Sequence, residues 1–335
     1  MNSAVMSHPW LAIEPYQVSV DQYRSYRRDG FLVVRNVVLP EHVDELSRHC
    51  DDLLSERIDV SDFIYTPPGV QRSIFELLHR IHMGHQKMEL WERYLLYPRV
   101  LDIVAALTGP DVAAMQTMLF TKAPGANGQG FHQDSYYIPT FPDTLIGAWI
   151  AIDRADLENG YLWMSTGSGA EPIYPPETGY GYGNVELSDI PNVRNVGGHS
   201  NDDTDPLNTL KPIAEAYKAV EVPAIMEPGD VAFFNGHVFH RSLKNRSETR
   251  FRRSFVNHYC NARSFTTWGG GNKEQILARG NTHLEFAEPR FGTPCAALDP
   301  ERSSVSDTGA VPTMMMAQED GMMGAQAPGG EDHED

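Results

Sequence analysis

The 335-residue chain has few cysteines and no long apolar run. Its three cysteines, Cys50, Cys260 and Cys295, are scattered without a CxxC pair, which argues against a disulfide framework or a cysteine-rich zinc site. No stretch approaches the roughly 18 apolar residues of a membrane span, and no basic start followed by an apolar run marks a secretory signal. We therefore expect a cytoplasmic protein.

Basic residues are also scarce, with 27 Lys and Arg against 45 Asp and Glu and a formal net charge of −18. This charge repels nucleic acids and anionic membrane surfaces, so neither is expected as a partner. A glycine fingerprint for phosphate or dinucleotide binding is missing as well. These absences leave a small-molecule substrate as the expected partner.

The chain reads as a helical part followed by a β part. Residues 19–108 have mainly helical spacing, interrupted by the apolar run FLVVRNVV, and Pro40 suits the first turn of a helix. One helical stretch is predicted from about Arg72 to Leu107. Short β-branched and aromatic runs separated by Gly, Pro and Asn turns then fill residues 110–265. This order predicts an all-β core with flanking helices, built as an antiparallel barrel or sandwich.

Two segments do not fit that core. Residues 169–210 are rich in Gly, Pro, Asn and Asp and too long for an ordinary strand connection, so they are expected to form an insertion or lid. Residues 301–335 form an acidic, Met-rich tail without periodicity, which is expected to be disordered. The remainder, residues 1–300, is predicted to be a single domain.

The residues with metal-binding chemistry are His132, Asp134 and His240. His132 and Asp134 lie two apart after the glycine-rich PGANGQGF, so on a strand they share a face. His240 ends the strand-like run GDVAFFNGHVF and supplies a third ligand. Two histidines and one carboxylate are the set that non-haem Fe(II) oxygenases use to bind iron while leaving positions for co-substrate and dioxygen.

An anion-binding pair follows on the next predicted strand. Arg252 and Ser254 lie two apart, and an arginine with a hydroxyl on the same face is expected to bind the far carboxylate of 2-oxoglutarate by charge-assisted hydrogen bonds. The expected cofactors are therefore Fe(II), 2-oxoglutarate as co-substrate and O2.

A family resemblance rests on five stretches: DGFLVVRNVV, AAMQTMLFTKAPG, FHQDSYYIPTFPDTLIGAWIAID, ENGYLWMSTGS and GDVAFFNGHVFHRSLKN. Through them the chain resembles the phytanoyl-CoA dioxygenase family over roughly residues 19–260. The resemblance implies a double-stranded β-helix, also called a jelly-roll or cupin-like barrel, with helices on one side. It also implies an Fe(II)- and 2-oxoglutarate-dependent dioxygenase with His132, Asp134 and His240 as iron ligands. Family positions near the co-substrate correspond to Gln133, Met118, Trp149, Ser242, Arg252 and Arg80.

Two departures from the family pattern affect these assignments. Arg252 lies one residue farther from His240 than the family arginine does, which leaves Arg250 and Arg253 as competitors. Arg252 is preferred because FRRSF aligns best and because Ser254 shares its face. The sequence also reads GSG at 167–169 where the family has glycine-serine-histidine.

Several residues have plainer interpretations. His237 is the alternative third ligand, but its odd spacing from His240 places it on the opposite face of a strand. The group His79, His82 and His85 has helical spacing and is interpreted as a partly buried helix face. Trp149 and Met118 also suit plain core packing, and Tyr136 and Tyr137 suit either the substrate or the barrel rim.

The predicted reaction is hydroxylation of an unactivated C–H bond, with release of succinate and CO2. The substrate is an acyl-CoA or a small metabolite; the chain has no phosphate-binding loop for the CoA part. A carboxylate at Asp134 argues against halogenation, because halogenating relatives carry a small residue there. Two alternatives remain: an iron enzyme of the same fold that desaturates, cyclises or works without 2-oxoglutarate, and a non-catalytic metal-binding barrel.

Overall fold

A computed structural model describes four parts of the chain: Trp10 and residues 13–60, 73–174 and 210–291. Most of the predicted insertion and the whole of the predicted tail lie outside these parts, as does Cys295. All described residues belong to one compact unit.

The larger of two main sheets has seven antiparallel strands. They are β1 (Phe31–Val34), β2 (Arg80–His82), β3 (Val112–Lys122), β6 (Ile146–Ala151), β9 (Val231–Asn235), β11 (Arg252–Asn261) and β13 (Ile276–Arg279). The order is β1-β9-β6-β11-β3, and both β2 and β13 pair with the other edge of β3. The long strands β3 and β11 form the centre of the sheet.

The smaller sheet has the order β4-β10-β7-β8. Its strands are β4 (Gln129–His132), β7 (Leu162–Ser165), β8 (Glu221–Ala224) and β10 (His240–Ser242), and a separate pair joins β5 (Thr140–Phe141) to β12 (Phe265–Thr266). One apolar cluster joins the facing sides of the two main sheets, including Trp149 and Val256 from the larger and Leu162 and Met164 from the smaller. This is the double-stranded β-helix that the sequence predicts.

The described residues form seven α-helices: α1 (Val20–Asp29), α2 (Pro40–Leu54), α3 (Ile74–Leu77), α4 (Glu89–Leu95), α5 (Pro98–Thr108), α6 (Asp134–Tyr137) and α7 (Lys211–Glu215). Helix α1 begins with a capping box between Ser19 and Gln22 and ends at Gly30, whose φ of 88° suits glycine. Pro40 opens α2, as predicted. None of the helices in the described parts is long and apolar enough to cross a membrane.

Helices α1, α2, α4 and α5 cover the outer face of the larger sheet. Phe255 of β11 packs edge-on against Trp91 of α4, and the next outward side chain, Asn257, donates to the main-chain oxygen of Tyr94 at 3.0 Å. Tyr259 donates to the oxygen of Leu95 at 2.7 Å. These bonds satisfy carbonyls at the end of α4 that have no partner within the helix. Because side chains alternate along a strand, the intervening residues of β11 face the space between the sheets.

Two details of the predicted organisation are wrong. The stretch from Arg72 to Leu107 is not one helix, since its described part contains three helices, α3, α4 and α5, with β2 between α3 and α4. The barrel also extends beyond residues 110–265, because β1, β2 and β13 all join the larger sheet. In each case pairing with a distant strand decides the conformation of a short segment.

Candidate active site

The three predicted metal ligands lie together between the sheets. His132 ends β4, His240 begins β10 directly opposite it, and Asp134 is the first residue of α6 rather than part of a strand. Oδ1 of Asp134 lies 3.6 Å from Nε2 of His132 and 3.7 Å from Nε2 of His240. All three side chains are buried, and one ligand atom from each lies within 4.8 Å of the others.

Hydrogen bonds fix both imidazoles with Nε2 toward the common point. Nδ1 of His132 donates to the oxygen of Gly130 at 2.9 Å, and Nδ1 of His240 donates to the oxygen of Val238 at 3.0 Å. A ring whose Nδ1 carries the proton presents a lone pair at Nε2, which is the form that binds a metal ion. The donor set and its orientation therefore fit Fe(II).

The charge state of the cluster also suits a cation. Burial, and then the neighbouring His240, lower the pKa of His132 to about 3, so its ring is neutral near pH 7. Burial alone would raise the pKa of Asp134, but His240 and His258 hold it below its usual range. The site thus presents a neutral His132 and an ionised carboxylate.

A glycine brings the loop before His132 close to β10. A Cβ atom at Gly128 would lie 2.0 Å from the main-chain oxygen of Ser242. Only glycine permits this approach, which lets the main-chain nitrogen of Gln129 donate to Oγ of Ser242 at 3.2 Å. The glycine-rich stretch before His132 therefore joins the metal cluster to the strand that carries His240.

His258 is a site residue that the sequence analysis missed. It lies on β11, and its Nε2 donates to Oδ2 of Asp134 at 3.0 Å. Its Nδ1 is buried and has no hydrogen-bond partner among the described residues. Every second residue of β11 from Arg252 onward faces the same side of the strand, and His258 is one of these residues. The alternation of side chains along a strand therefore points to His258 from the sequence alone.

Arg252 lies in the same cavity, about 480 Å³ in volume, as the metal cluster. Its side chain is buried and donates to Oγ of Ser254 at 3.2 Å, while its Nε has no hydrogen-bond partner among the described residues. Burial lowers its pKa to about 10, so it remains cationic near pH 7. No carboxylate of the described residues forms an ion pair with it. A buried guanidinium of this kind fits an anionic ligand.

The two competing arginines face elsewhere. Arg250 forms ion pairs with Asp156 and Glu158. Arg253 projects from the other face of β11 and forms ion pairs with Asp51 and Asp153. Neither lines the cavity, whereas Arg252 does.

The remaining predicted co-substrate residues divide into two groups. Ser242, Trp149, Met118 and Arg80 line the cavity, and the Arg252 guanidinium lies 5.3 Å from the Trp149 ring centre. Arg80 reaches the cavity from strand β2 and not from a helix. Gln133 does not line it, because its amide group bonds to the backbone of Pro172, Tyr174 and His237.

The histidines outside the cluster are placed as follows. His237 lies in the turn between β9 and β10, where its ring contacts Asp143 and the oxygen of Glu171. The predicted helix face of His79, His82 and His85 does not exist: His82 lies on β2 and lines the cavity, and His85 lies in a 3₁₀ turn bonded to Thr117. Tyr137 also lines the cavity, unlike Tyr136.

Comparison with known proteins identifies the family of the chain. A sequence model of phytanoyl-CoA dioxygenases matches residues 26–254. The chain belongs to the phytanoyl-CoA dioxygenase family. The rat peroxisomal phytanoyl-CoA dioxygenase is 28% identical over 293 residues, covering 84% of this chain and 79% of the rat protein. A probable phytanoyl-CoA dioxygenase of Caenorhabditis elegans is 28% identical over 259 residues, covering 73% and 76% of the two chains.

Solved structures share the fold of this phytanoyl-CoA dioxygenase family member. The apo form of the non-haem monooxygenase ThoJ superimposes with a TM-score of 0.58 at 21% identity, over 84% of this chain and 92% of that one. EctD from S. alaskensis, solved with 2-oxoglutarate and 5-hydroxyectoine, gives a TM-score of 0.54 at 18% identity, over 76% of this chain and 81% of that one. Family membership and the metal cluster together make the chain a 2-oxoglutarate-dependent non-haem iron dioxygenase that uses Fe(II), 2-oxoglutarate and O2.

Proposed function

We propose that the protein hydroxylates an unactivated C–H bond of a small-molecule or acyl-type substrate and releases succinate and CO2. One observation carries the proposal: the His132, Asp134 and His240 cluster and the buried Arg252 line the same cavity. An iron site and an anion site in one cavity are what a 2-oxo acid co-substrate requires.

Each part of the cavity has a role in this proposal. His132, Asp134 and His240 hold Fe(II), which when bound supplies the activation of dioxygen and the attack on the C–H bond. Arg252 and Ser242 bind the far carboxylate of 2-oxoglutarate. Arg252 is pre-positioned for this by its hydrogen bond to Ser254 and by the Trp149 ring beneath it.

The remaining walls indicate the substrate class. Apolar side chains cover much of the cavity, namely Met118, Phe120, Ile138, Leu162, Phe234 and Val256. Such walls bind hydrocarbon and keep water away from the reacting carbon. Arg80 and His82 line the same cavity from β2 and are solvent-exposed, so they are placed to contact a polar end of the substrate. An acyl group or a metabolite with an apolar carbon frame fits this distribution.

The test is succinate formation by the purified protein reconstituted with Fe(II), under air and with 2-oxoglutarate. His240→Ala is the inactive comparison, and His237→Ala, altered outside the cluster, is the matched control. We expect slow succinate release without substrate in wild type and His237→Ala, and its loss in His240→Ala. If neither succinate release nor 2-oxoglutarate binding occurs in the wild type, the proposal fails.

A screen of fatty acyl thioesters, free fatty acids and small carboxylic metabolites then identifies compounds that accelerate succinate release. Mass spectrometry of the product decides the reaction: hydroxylation adds one oxygen atom, whereas desaturation or ring closure removes two hydrogens. The cytoplasmic location stays a prediction, which fractionation of the native host cells tests.

A further inference from the structure

A second buried basic side chain lies beside Arg252. Lys122 ends β3 and is paired in register with Arg252, and the two side chains are only 2% and 3% exposed. Neither forms an ion pair with a carboxylate of the described residues. A buried charge without a counter-charge is costly, so two neighbouring basic groups of this kind fit a site whose anion comes from a ligand.

The hydrogen bonds of Lys122 determine whether the Ser242 hydroxyl is left to donate or to accept a further hydrogen bond. Nζ of Lys122 donates to Oγ of Ser242 at 2.9 Å and to the main-chain oxygen of Leu243 at 2.7 Å. The nitrogen of Gln129 also donates to Oγ of Ser242, at 3.2 Å. A hydroxyl accepts at two positions and donates one hydrogen. Because both accepting positions of Ser242 are occupied, its hydrogen is left to donate to a further group.

Ser242 lines the cavity, whereas Lys122 lies behind it. We propose that Lys122 is a positioning residue for the far carboxylate of 2-oxoglutarate: it makes the Ser242 hydroxyl a donor into the cavity and adds a second positive charge behind it. This inference rests on the proposed function, because it concerns the same co-substrate. On this inference, Lys122 is one reason why the cavity prefers a 2-oxo acid that carries a second carboxylate.

The charge of Lys122 responds to the ligand. Burial, and then Arg252, lower the pKa of Lys122 to about 5, so the amine is mainly neutral near pH 7. A neutral amine has two hydrogens, which match its two acceptors. The charged and titratable groups facing it are Arg252 from β11 and His79 from the segment before β2, and neither is a carboxylate. A carboxylate bound at Ser242 and Arg252 favours the ammonium form, so Lys122 takes a proton from solvent on binding.

Calorimetry under anaerobic conditions tests this. The Mn(II)-loaded protein is titrated with 2-oxoglutarate at pH 7 in two buffers that differ in ionisation enthalpy, which gives proton uptake together with Kd. We expect uptake of up to about one proton in the wild type, none in Lys122→Met, and Kd raised about tenfold or more in that variant. Lys244→Met, which alters an exposed lysine two residues after Ser242, is the control and behaves as wild type.

The ligand 2-oxovalerate, which lacks the second carboxylate, provides an internal comparison. Its Kd is expected to be the same in wild type and Lys122→Met, with no proton uptake in either. A Ser242→Ala, Lys122→Met double variant is expected to bind 2-oxoglutarate no more weakly than the weaker single variant, because Lys122 acts through Ser242. Lys122→Gln, which keeps a donor and loses the charge, replaces Lys122→Met if the latter does not fold.

Failure of this inference is distinct from failure of the proposed function. Normal 2-oxoglutarate affinity and proton uptake in both Lys122→Met and Lys122→Gln overturn the role of Lys122 alone. A wild-type protein that retains Mn(II) and binds no 2-oxoglutarate overturns the proposed function, and this inference with it.

Discussion

Nε2 of His258 lies 3.0 Å from Oδ2 of Asp134, on the opposite side of the carboxylate from the two ligand histidines. Those histidines lie 3.6 and 3.7 Å from the other oxygen, Oδ1. The carboxylate is therefore held by one oxygen and presents the second to the metal position. This arrangement favours binding through a single oxygen, which leaves more of the metal available to other ligands.

Replacing His258 should weaken metal binding without removing a ligand. We expect His258→Leu to raise the Kd for Mn(II) about 10- to 100-fold, as typical for loss of a group that orients a metal ligand. Calorimetric titration of the metal-free protein measures this. His85→Leu is the control, since His85 is equally buried but lies outside the cavity. An unaltered Kd in His258→Leu contradicts the positioning role.

The identity of the ligands is tested by removing them singly. His132→Ala and Asp134→Ala should lose bound metal after dialysis, because each removes one of three donors that lie within 4.8 Å of one another. Metal analysis of the dialysed protein gives the answer. His237→Ala should retain the metal, since its ring contacts Asp143 and Glu171 and not the cluster. If His237→Ala loses the metal while His132→Ala or Asp134→Ala retains it, the assignment of the metal ligands is wrong.

Substitution of Arg252 and of its neighbour Arg253 tests which of the two binds the far carboxylate of 2-oxoglutarate. Arg252→Gln should raise the Kd for 2-oxoglutarate by roughly 10- to 100-fold, because a charge-assisted hydrogen-bond donor is lost, while metal binding stays the same. Arg253→Gln should leave that Kd unchanged and lower the melting temperature, since Arg253 bonds to Asp153 and Asp51. If Arg253→Gln raises the Kd for 2-oxoglutarate and Arg252→Gln does not, the assignment of the binding arginine is wrong by one residue.

The stability of the metal-free protein should depend on pH through Lys122. Its pKa is about 5 in the folded protein and near 10.5 when unfolded, so between these values the unfolded chain binds more protons. Stability therefore rises with pH, by about 1.4 kcal/mol per pH unit for one group. Denaturant unfolding of wild type and Lys122→Met between pH 6 and 9 measures this. As the pH rises, the free energy of unfolding of the wild type should increase relative to that of Lys122→Met. If the two free energies change in parallel with pH, the lowered pKa of Lys122 is contradicted.

Local patterns predicted the parts of the site that lie close together in the chain or along one strand. The alternation along β6 separates Trp149, which faces the cavity, from Ile150, which packs against the helices. The spacing of Arg252 and Ser254 likewise placed both on one face of β11, and their side chains are bonded. In these cases the period of the strand alone determines the direction of the side chain.

Two other contacts between distant strands escaped prediction. Lys122 and Ser242 are 120 residues apart, and His258 and Asp134 are 124 apart, so no local pattern links them. The same reason explains the error at β2. His79, His82 and His85 have helical spacing in the sequence, but pairing of Arg80–His82 with β3 makes that segment a strand.

Strand β11 places Arg252 and His258 on one continuous face that lines the cavity, and His258 bonds there to Asp134. The loop before it, residues 243–251, connects β10 of the smaller sheet to β11 of the larger sheet. An insertion in that loop leaves the downstream spacing intact, whereas an insertion within β11 would turn either Arg252 or His258 out of the cavity. The separation of Arg252 and His258 in the sequence is therefore fixed by the strand, whereas a change in the length of the loop leaves the two side chains on the same face of β11.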